Sequence, residues 1–281
     1  MSDDSRTRLA VLGSPISHSL SPRIHKAAYE VLGLDWSYES VDVTEESLAG
    51  FAKELDSGWR GLSLTMPLKR GILPLLDSRD SVVDTVGAAN TVLVGENGEL
   101  YGFNTDVYGV AQSFRDVGVY SLDTVHVLGA GATAASVIAG VAGLGANRVL
   151  VSARTPAKAA GLVALGVDLG VEVMVDGWGV VPRSMEVPTA VVSTLPGGVT
   201  VPDVTFEAKS TSVLLDVAYS PWPSALATSW ATVGSTVISG LDLLVNQAVG
   251  QIRIFLTGNP SEQLPDEPAV VRAMREALHS R

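Results

Sequence analysis

The chain has no cysteine. That excludes disulfides, thiolate metal ligands and cysteine nucleophiles together, and it suits a reducing compartment. Positive charge is scarce too: 19 Lys and Arg stand against 30 Asp and Glu, a net of −11. Such a surface repels nucleic acid and anionic membranes, so neither is an expected partner. No apolar run is long and unbroken enough to span a bilayer. The opening Met-Ser-Asp-Asp-Ser-Arg is polar and acidic, unlike the basic start and apolar core of a signal peptide. A cytoplasmic protein is expected. Core material is abundant: 46% of the 281 residues are hydrophobic and only 17% charged. That argues against disorder and, at this length, favours two domains over one core.

Hydrophobic periodicity orders the elements. Arg8 to Gly13 is a short apolar run that reads as a buried strand. Ser21-Pro22 reads as a helix start, with Ser21 as N-cap and Pro22 at the first helical position, and the helix stops at Gly33. Trp36 to Val43 alternates like a strand, 45–55 reads as a helix, and Gly61 to Thr65 as another strand. Asn97-Gly98 sits between two short apolar runs and predicts a type I′ hairpin. From about residue 122 the pattern changes. Apolar strands at 124–128, 148–152, 172–175, 189–193, 212–216 and 236–238 alternate with small-residue helical stretches, beginning with 133–144. This alternation predicts a parallel, doubly wound sheet. After Gly240 the pattern is helical, over 241–256 and 269–278, and both helices suit packing back on the first domain. The expected division is 1–108, 109–239 and 240–281.

Gly129-Ala130-Gly131-Ala132-Thr133-Ala134 fits G-x-G-x-x-G/A, after a strand and opening a helix. The first glycine permits the tight turn, the second lets a pyrophosphate approach the backbone, and Ala134 lets helix and strand pack closely. The helix N-terminus offers N–H groups and partial positive charge. An NAD site places an acid about twenty residues on, for the ribose 2′-hydroxyl. Here the next strand ends Ser152-Ala153-Arg154-Thr155, with Lys158 close by and no carboxylate. Arg154 can pair with a 2′-phosphate, so NADP is the expected cofactor. The competing reading is a solvated Arg at a helix start.

Ser19, Ser21, Thr65, Lys69, Asn90, Asn104 and Asp106 concentrate short polar and charged side chains at strand ends and loops of an otherwise apolar region. They suit a pocket for a small hydroxylated molecule. Lys69 with Asp106 could move a proton at a bound alcohol and steady the charge on its oxygen. The bland alternatives are a surface ion pair, a cap at Ser21 and a turn cap at Asn104.

Six segments fall in one order: Ser17-His-Ser-Leu-Ser-Pro-Arg-Ile-His25, Thr65-Met-Pro-Leu-Lys69, Gly87-Ala-Ala-Asn-Thr91, Gly102-Phe-Asn-Thr-Asp-Val-Tyr-Gly109, Gly129-Ala-Gly131 and Leu243-Leu-Val-Asn-Gln-Ala248. Together they resemble the shikimate dehydrogenase family over nearly the whole chain. The resemblance implies NADP-dependent, reversible reduction of 3-dehydroshikimate to shikimate, a step of aromatic amino acid biosynthesis. It implies an N-terminal substrate domain, a Rossmann-like NADP domain and C-terminal helices returning to the first, with substrate in the cleft between them, in a monomer or homodimer. By position, Ser19 and Ser21 would hold the substrate carboxylate. Thr65, Lys69, Asn90, Asp106 and Gln247 would bind the ring hydroxyls, and Lys69 and Asp106 would be the catalytic pair. Tyr219 would lie near carboxylate and nicotinamide. Ala153, Arg154, Thr155 and Lys158 would form the 2′-phosphate loop, and the backbone of Val217 and Gly240 would lie near the nicotinamide.

Some positions depart from the family pattern. Asn-Val-Thr is Ser63-Leu-Thr65 here, His-Asn is His25-Lys26, and the Asn of the 2′-phosphate loop is Ala153. The second glycine pair of the loop is Gly131-Ala132, and Pro223-Ser-Ala-Leu226 replaces Thr-Pro-Leu-Leu. The readings beside shikimate oxidation are a quinate or mixed quinate/shikimate dehydrogenase and a catalytically idle NADP-binding sensor.

Overall fold

The computed structural model describes residues 7–178, 187–199 and 211–279. The N-terminal hexapeptide read above as no signal peptide lies outside the described residues. The chain forms two compact units, Met1–Thr105 with Val245–Arg281, and Asp106–Leu244.

The first unit runs β1 (Thr7–Gly13), α1 (Ser21–Leu32), β2 (Trp36–Asp42), α2 (Glu45–Lys53), β3 (Trp59–Leu64), α3 (Leu68–Gly71), β4 (Ser78–Arg79), α4 (Ser81–Val86), β5 (Thr91–Val94) and β6 (Leu100–Phe103). Its sheet has the order β2-β1-β3-β5-β6-β4. β1 pairs in parallel with β2 and β3, while β5 runs antiparallel to β3 and β6. Ala10, Leu12, Leu62, Leu64, Val92 and Val94 put the inner strands into one core with Leu48, Leu68 and Val83 from the helices.

The second unit runs α5 (Asp106–Asp116), β7 (Thr124–Leu128), α6 (Ala132–Ala142), β8 (Arg148–Ala153), α7 (Ala160–Leu169), β9 (Glu172–Gly177), β10 (Ala190–Ser193), β11 (Val213–Asp216), α8 (Ala225–Ala231) and β12 (Val237–Ser239). All six strands pair in parallel, in the order β12-β11-β10-β7-β8-β9. Near-continuous apolar runs fit strands buried on both faces; every residue of β7 and of β10 is buried. The first strand lies mid-sheet, and the order reverses between β7 and β10. That is the arrangement of a Rossmann sheet, whose ligands bind where the order reverses. The doubly wound parallel sheet expected from the alternation is therefore present.

α9 (Gly240–Thr257) and α10 (Glu267–His279) follow. α10 packs on α1, and the nearly buried Arg253 of α9 pairs with Glu267, with Nε to Oε2 at 2.8 Å.

Two local expectations are corrected. Ser21 is not the N-cap. It is the first helical residue, and the capping position is Leu20, with no side-chain cap. Ser19 Oγ, two residues earlier, accepts the Ser21 N–H at 3.3 Å, so the orphan donor is met from the preceding loop. The Asn97-Gly98 hairpin is not type I′, which needs positive φ at both central residues. Gly98 has φ +89° while Asn97 does not. The Gly98 N–H closes a turn on the Gly95 carbonyl at 3.1 Å, and the Gly95 N–H bonds Glu99 at 2.8 Å. Gly98 thus supplies the left-handed residue that follows a turn centred on Glu96-Asn97.

Candidate active site

In the first unit the polar residues gather at the ends of β1 and β3 and at the start of β5. The Thr65 N–H bonds the Leu12 carbonyl at 2.9 Å, and the Thr65 carbonyl accepts the Leu68 N–H at 2.8 Å. This sharp exit from β3 starts α3, which carries the half-buried Lys69. The Lys69 carbonyl accepts the Ala89 N–H at 2.9 Å. The backbones of the Lys69 and Asn90 segments are thereby tied together.

Asn90 is buried and bonds several neighbours. Its amide donates to Thr105 Oγ1 at 2.9 Å and to Gln247 Oε1 at 3.3 Å. Its Oδ1 accepts from Thr91 Oγ1 and from the Thr105 N–H, both at 2.8 Å. Asn90 and Gln247, 157 residues apart, are therefore brought together. Asn104 is buried and donates to the Ala88 carbonyl at 2.8 Å, which holds the strand exit that leads to Asp106. Ser19 and Ser21 adjoin through their own hydrogen bond.

Beneath these residues lies a buried polar layer that the sequence reading missed. Tyr38 of β2 donates to Ser63 Oγ at 2.7 Å and also bonds Ser21. Its ring stacks on the His25 imidazole, with centroids 3.9 Å apart and planes at 14°. His25 Nδ1 lies 3.0 Å from the Tyr29 hydroxyl, and Nε2 lies 3.3 Å from Gln251 Oε1. Burial pushes the His25 pKa down to about 3, against a smaller upward pull from Gln251, so the ring is neutral. Burial raises the Tyr38 phenol far above its usual range, and its bonds to Ser63 and Ser21 offset only part of this. The available signal was positional: Gln251 lies four residues from Gln247 on α9, hence on the same helix face.

In the second unit the glycine turn sits where the strand order reverses. Gly129 has φ +105°, and a Cβ there would come within 2.4 Å of Thr194 Oγ1. Thr194 follows β10 and bonds the Leu128 carbonyl through both its N–H, at 2.8 Å, and its hydroxyl, at 2.9 Å. Thr194 was also missed, because a threonine after an apolar strand carries no motif. Gly131 caps α6 without any side-chain partner, and a Cβ on it would meet nothing within 4 Å. The N-terminus of α6 is thus open and uncapped at Ala132 and Thr133, as an anion requires. The Gly129 N–H bonds the Ser152 carbonyl at 2.9 Å, tying the turn to the end of β8. There Ala153 is buried and Arg154, Thr155 and Lys158 are exposed. Burial sets the Tyr219 phenol above its ordinary pKa.

The segment after β11 is held by Asp216. Its Oδ1 accepts the Ala218 N–H at 3.2 Å, and its Oδ2 accepts the Ser224 hydroxyl at 2.5 Å. Ser224 in turn caps α8. Val217 and Gly240 meet: a Cβ on Gly240 would lie 2.2 Å from the Val217 carbonyl oxygen. Lys69 belongs to the first unit, and Asp106, buried at the first turn of α5, opens the second. Among the described residues, no group of three or more His, Asp or Glu side chains could hold a metal ion. Among the same residues, no helix is long and apolar enough to cross a membrane.

A parallel sheet with a mid-sheet first strand and an uncapped glycine turn at its point of reversal defines a dinucleotide-binding α/β protein, here carrying a second α/β unit. Comparison with known proteins narrows the class. Residues 11–92 match the model of the shikimate dehydrogenase substrate binding domain. The NADP(+) shikimate dehydrogenase of Thermus thermophilus is 36% identical over 272 residues, 96% of this chain and 98% of the relative. The crystal structure of Mycobacterium tuberculosis shikimate dehydrogenase matches with a TM-score of 0.81 at 35% identity, over 96% of this chain and 99% of that one. The Thermus thermophilus enzyme solved in complex with NADP(H) and shikimate matches with a TM-score of 0.80 at 33% identity, over 96% and 99%. The chain belongs to the shikimate dehydrogenase family.

Proposed function

We propose that this protein is an NADP-dependent shikimate dehydrogenase, interconverting 3-dehydroshikimate and shikimate. The observation that carries the reading is local. The uncapped turn at Gly131 leads, through the Gly129–Ser152 bond, to a strand end bearing Arg154 and Lys158 and no acid. The donor set fits a diphosphate and a 2′-phosphate and offers no carboxylate to an unmodified ribose diol. Gly129, Ala130, Gly131, Ala132 and Thr133 would hold the diphosphate; Ala153, Arg154, Thr155 and Lys158 the 2′-phosphate; Val217 and Gly240 the nicotinamide end. The bound dinucleotide supplies or accepts the hydride.

The remaining work falls to side chains of this chain. Ser19 and Ser21 orient the ring acid by its carboxylate, with Tyr219 near the same end. Thr65, Asn90 and Gln247 orient the ring through its hydroxyls. Lys69 and Asp106 handle the proton at the alcohol oxygen and steady the charge that develops there. An acidic, cysteine-free chain suits work in the reducing cytoplasm.

The test is NADP reduction with shikimate, then quinate, then both again with NAD. Shikimate with NADP should be the fastest pair. Tight NADP binding without turnover of either acid would overturn the assignment.

A further inference from the structure

Two backbone groups near Asn90 have no choice of role. The Asn90 carbonyl can only accept, and the Thr105 N–H can only donate. The Asn90 carbonyl takes a bond of 3.2 Å from Gln251, so that end of the Gln251 amide is its NH₂. The other end, facing His25 Nε2 at 3.3 Å, is then the oxygen. His25 must therefore carry its proton on Nε2, and its bare Nδ1 accepts from the Tyr29 hydroxyl. On the other side, the Thr105 N–H fixes the facing end of the Asn90 amide as Oδ1. The opposite end is NH₂ and donates to Gln247 Oε1. The far end of the Gln247 amide is then its NH₂. Thr91 joins the halves: its hydroxyl accepts from Gln251 at 3.2 Å and donates to Asn90 Oδ1 at 2.8 Å.

The whole run from Tyr29 through His25, Gln251, Thr91 and Asn90 to Gln247 thus has one direction. Its inner members are buried: His25 is 0% exposed and Gln251 2%. A half-reversed buried network is costly.

We propose that His25 and Gln251 are positioning residues that, through Thr91, reinforce the amide direction set in Asn90 by the Thr105 N–H, so that Gln247 meets a ring hydroxyl as an N–H donor. This rests on the reading that Asn90 and Gln247 bind the ring. The direction has chemical value. An N–H donor serves an oxygen that is a hydroxyl or a carbonyl, whereas an amide oxygen serves only the hydroxyl. A donor at Gln247 leaves the hydroxyl's own proton free for an acceptor on its other side.

The test begins with the full-length protein labelled with ¹⁵N-histidine. Long-range ¹H–¹⁵N correlation at neutral pH should show His25 neutral and protonated on Nε2. An Nδ1–H ring or an imidazolium would overturn the proposal. Gln251→Glu keeps the shape but cannot donate to the Asn90 carbonyl. It should raise KM for shikimate about tenfold, the worth of one such bond, with KM for NADP unchanged. Equal change in both, or in neither, would overturn it. If that variant does not fold, Thr91→Val keeps the shape and removes the hydroxyl that joins the halves. It should leave His25 protonated on Nε2 and raise KM for shikimate with the NADP constant unmoved. An unaltered KM, or an Nδ1–H ring, would count against the proposal. A wild-type protein inactive toward shikimate would instead overturn the functional reading beneath it, whichever tautomer the spectrum shows.

Discussion

Tyr38 donates its phenolic hydroxyl to Ser63 Oγ at 2.7 Å, with both side chains buried. Ser63 stands where the family pattern has Asn, and the shorter side chain receives the tyrosine hydroxyl. Tyr38→Phe deprives the buried Ser63 hydroxyl of this donor, and Ser63→Ala leaves the buried Tyr38 hydroxyl with its bond to Ser21. Tyr38→Phe and Ser63→Ala should each lower the unfolding free energy by about 1–3 kcal/mol. The double variant should lose less than the sum, as partners in contact do. Ser63→Asn should also destabilise, because extra atoms in a filled site force their neighbours aside. Urea unfolding of the four variants checks this; additive losses in the double variant would dissolve the pair.

The two buried histidines predict acid sensitivity. Burial lowers His25 to about 3 and His126, which faces Ser152 Oγ at 2.8 Å, to about 4, both from 6.5. In the unfolded chain both rings protonate as pH falls through 6.5, while in the folded chain they stay neutral. The unfolded state binds more protons in that window, so stability falls with pH. The loss should run from about pH 6.5 down to about pH 4 for His126 and further, to about pH 3, for His25. His126→Asn should flatten the upper part of the curve. An unchanged slope of urea midpoint against pH would remove His126 from this account.

Much of this layer was not legible in the sequence, for a physical reason. The parallel sheet announces itself through apolar runs at regular spacing, and the glycine turn through φ and closeness requirements that only glycine meets. Tyr38, His25 and Gln251 carry no such mark. Each sits at one buried position of an ordinary strand or helix, and its partners are distant in sequence: 226 residues separate His25 from Gln251. Asn90 was legible as a polar residue at a strand start, but its bond to Gln247 needed the fold. The hairpin and the start of α1 were misjudged by one local step each. Turn type and capping depend on a single dihedral, and composition does not report it.

On the proposed roles, Lys69 and Arg154 separate chemistry from cofactor choice. Lys69→Ala should cut kcat by roughly 10²- to 10⁴-fold, the usual worth of a positioned proton-handling group. NADP binding, measured by fluorescence titration, should stay as in the wild type. Retention of full turnover would remove Lys69 from the reaction.

Arg154→Ala should act the other way. It should weaken NADP by about 10- to 100-fold, as loss of a charge-assisted pair predicts. NAD kinetics should barely move, since NAD lacks the 2′-phosphate that Arg154 is proposed to meet. A parallel loss for both cofactors would indicate a packing role for the arginine instead.

Gly240 offers the sharpest steric test. It is the first residue of α9, and a Cβ there would approach the Val217 carbonyl oxygen to 2.2 Å and its carbon to 2.6 Å. Both are backbone atoms, so no side-chain rotation relieves the clash. The chain around Val217 has little room to retreat, because its N–H bonds the Ser193 carbonyl at 3.0 Å and Asp216 holds Ala218 and Ser224. Gly240→Ala should therefore displace the Val217 segment and reduce kcat with NADP. The glycine turn at Gly129–Thr133 and the cations after β8 are separate in the chain and should still bind adenosine 2′,5′-bisphosphate. Loss of turnover with that fragment bound as in the wild type is the expected result. Unimpaired turnover would show that the nicotinamide end does not depend on the Val217–Gly240 contact.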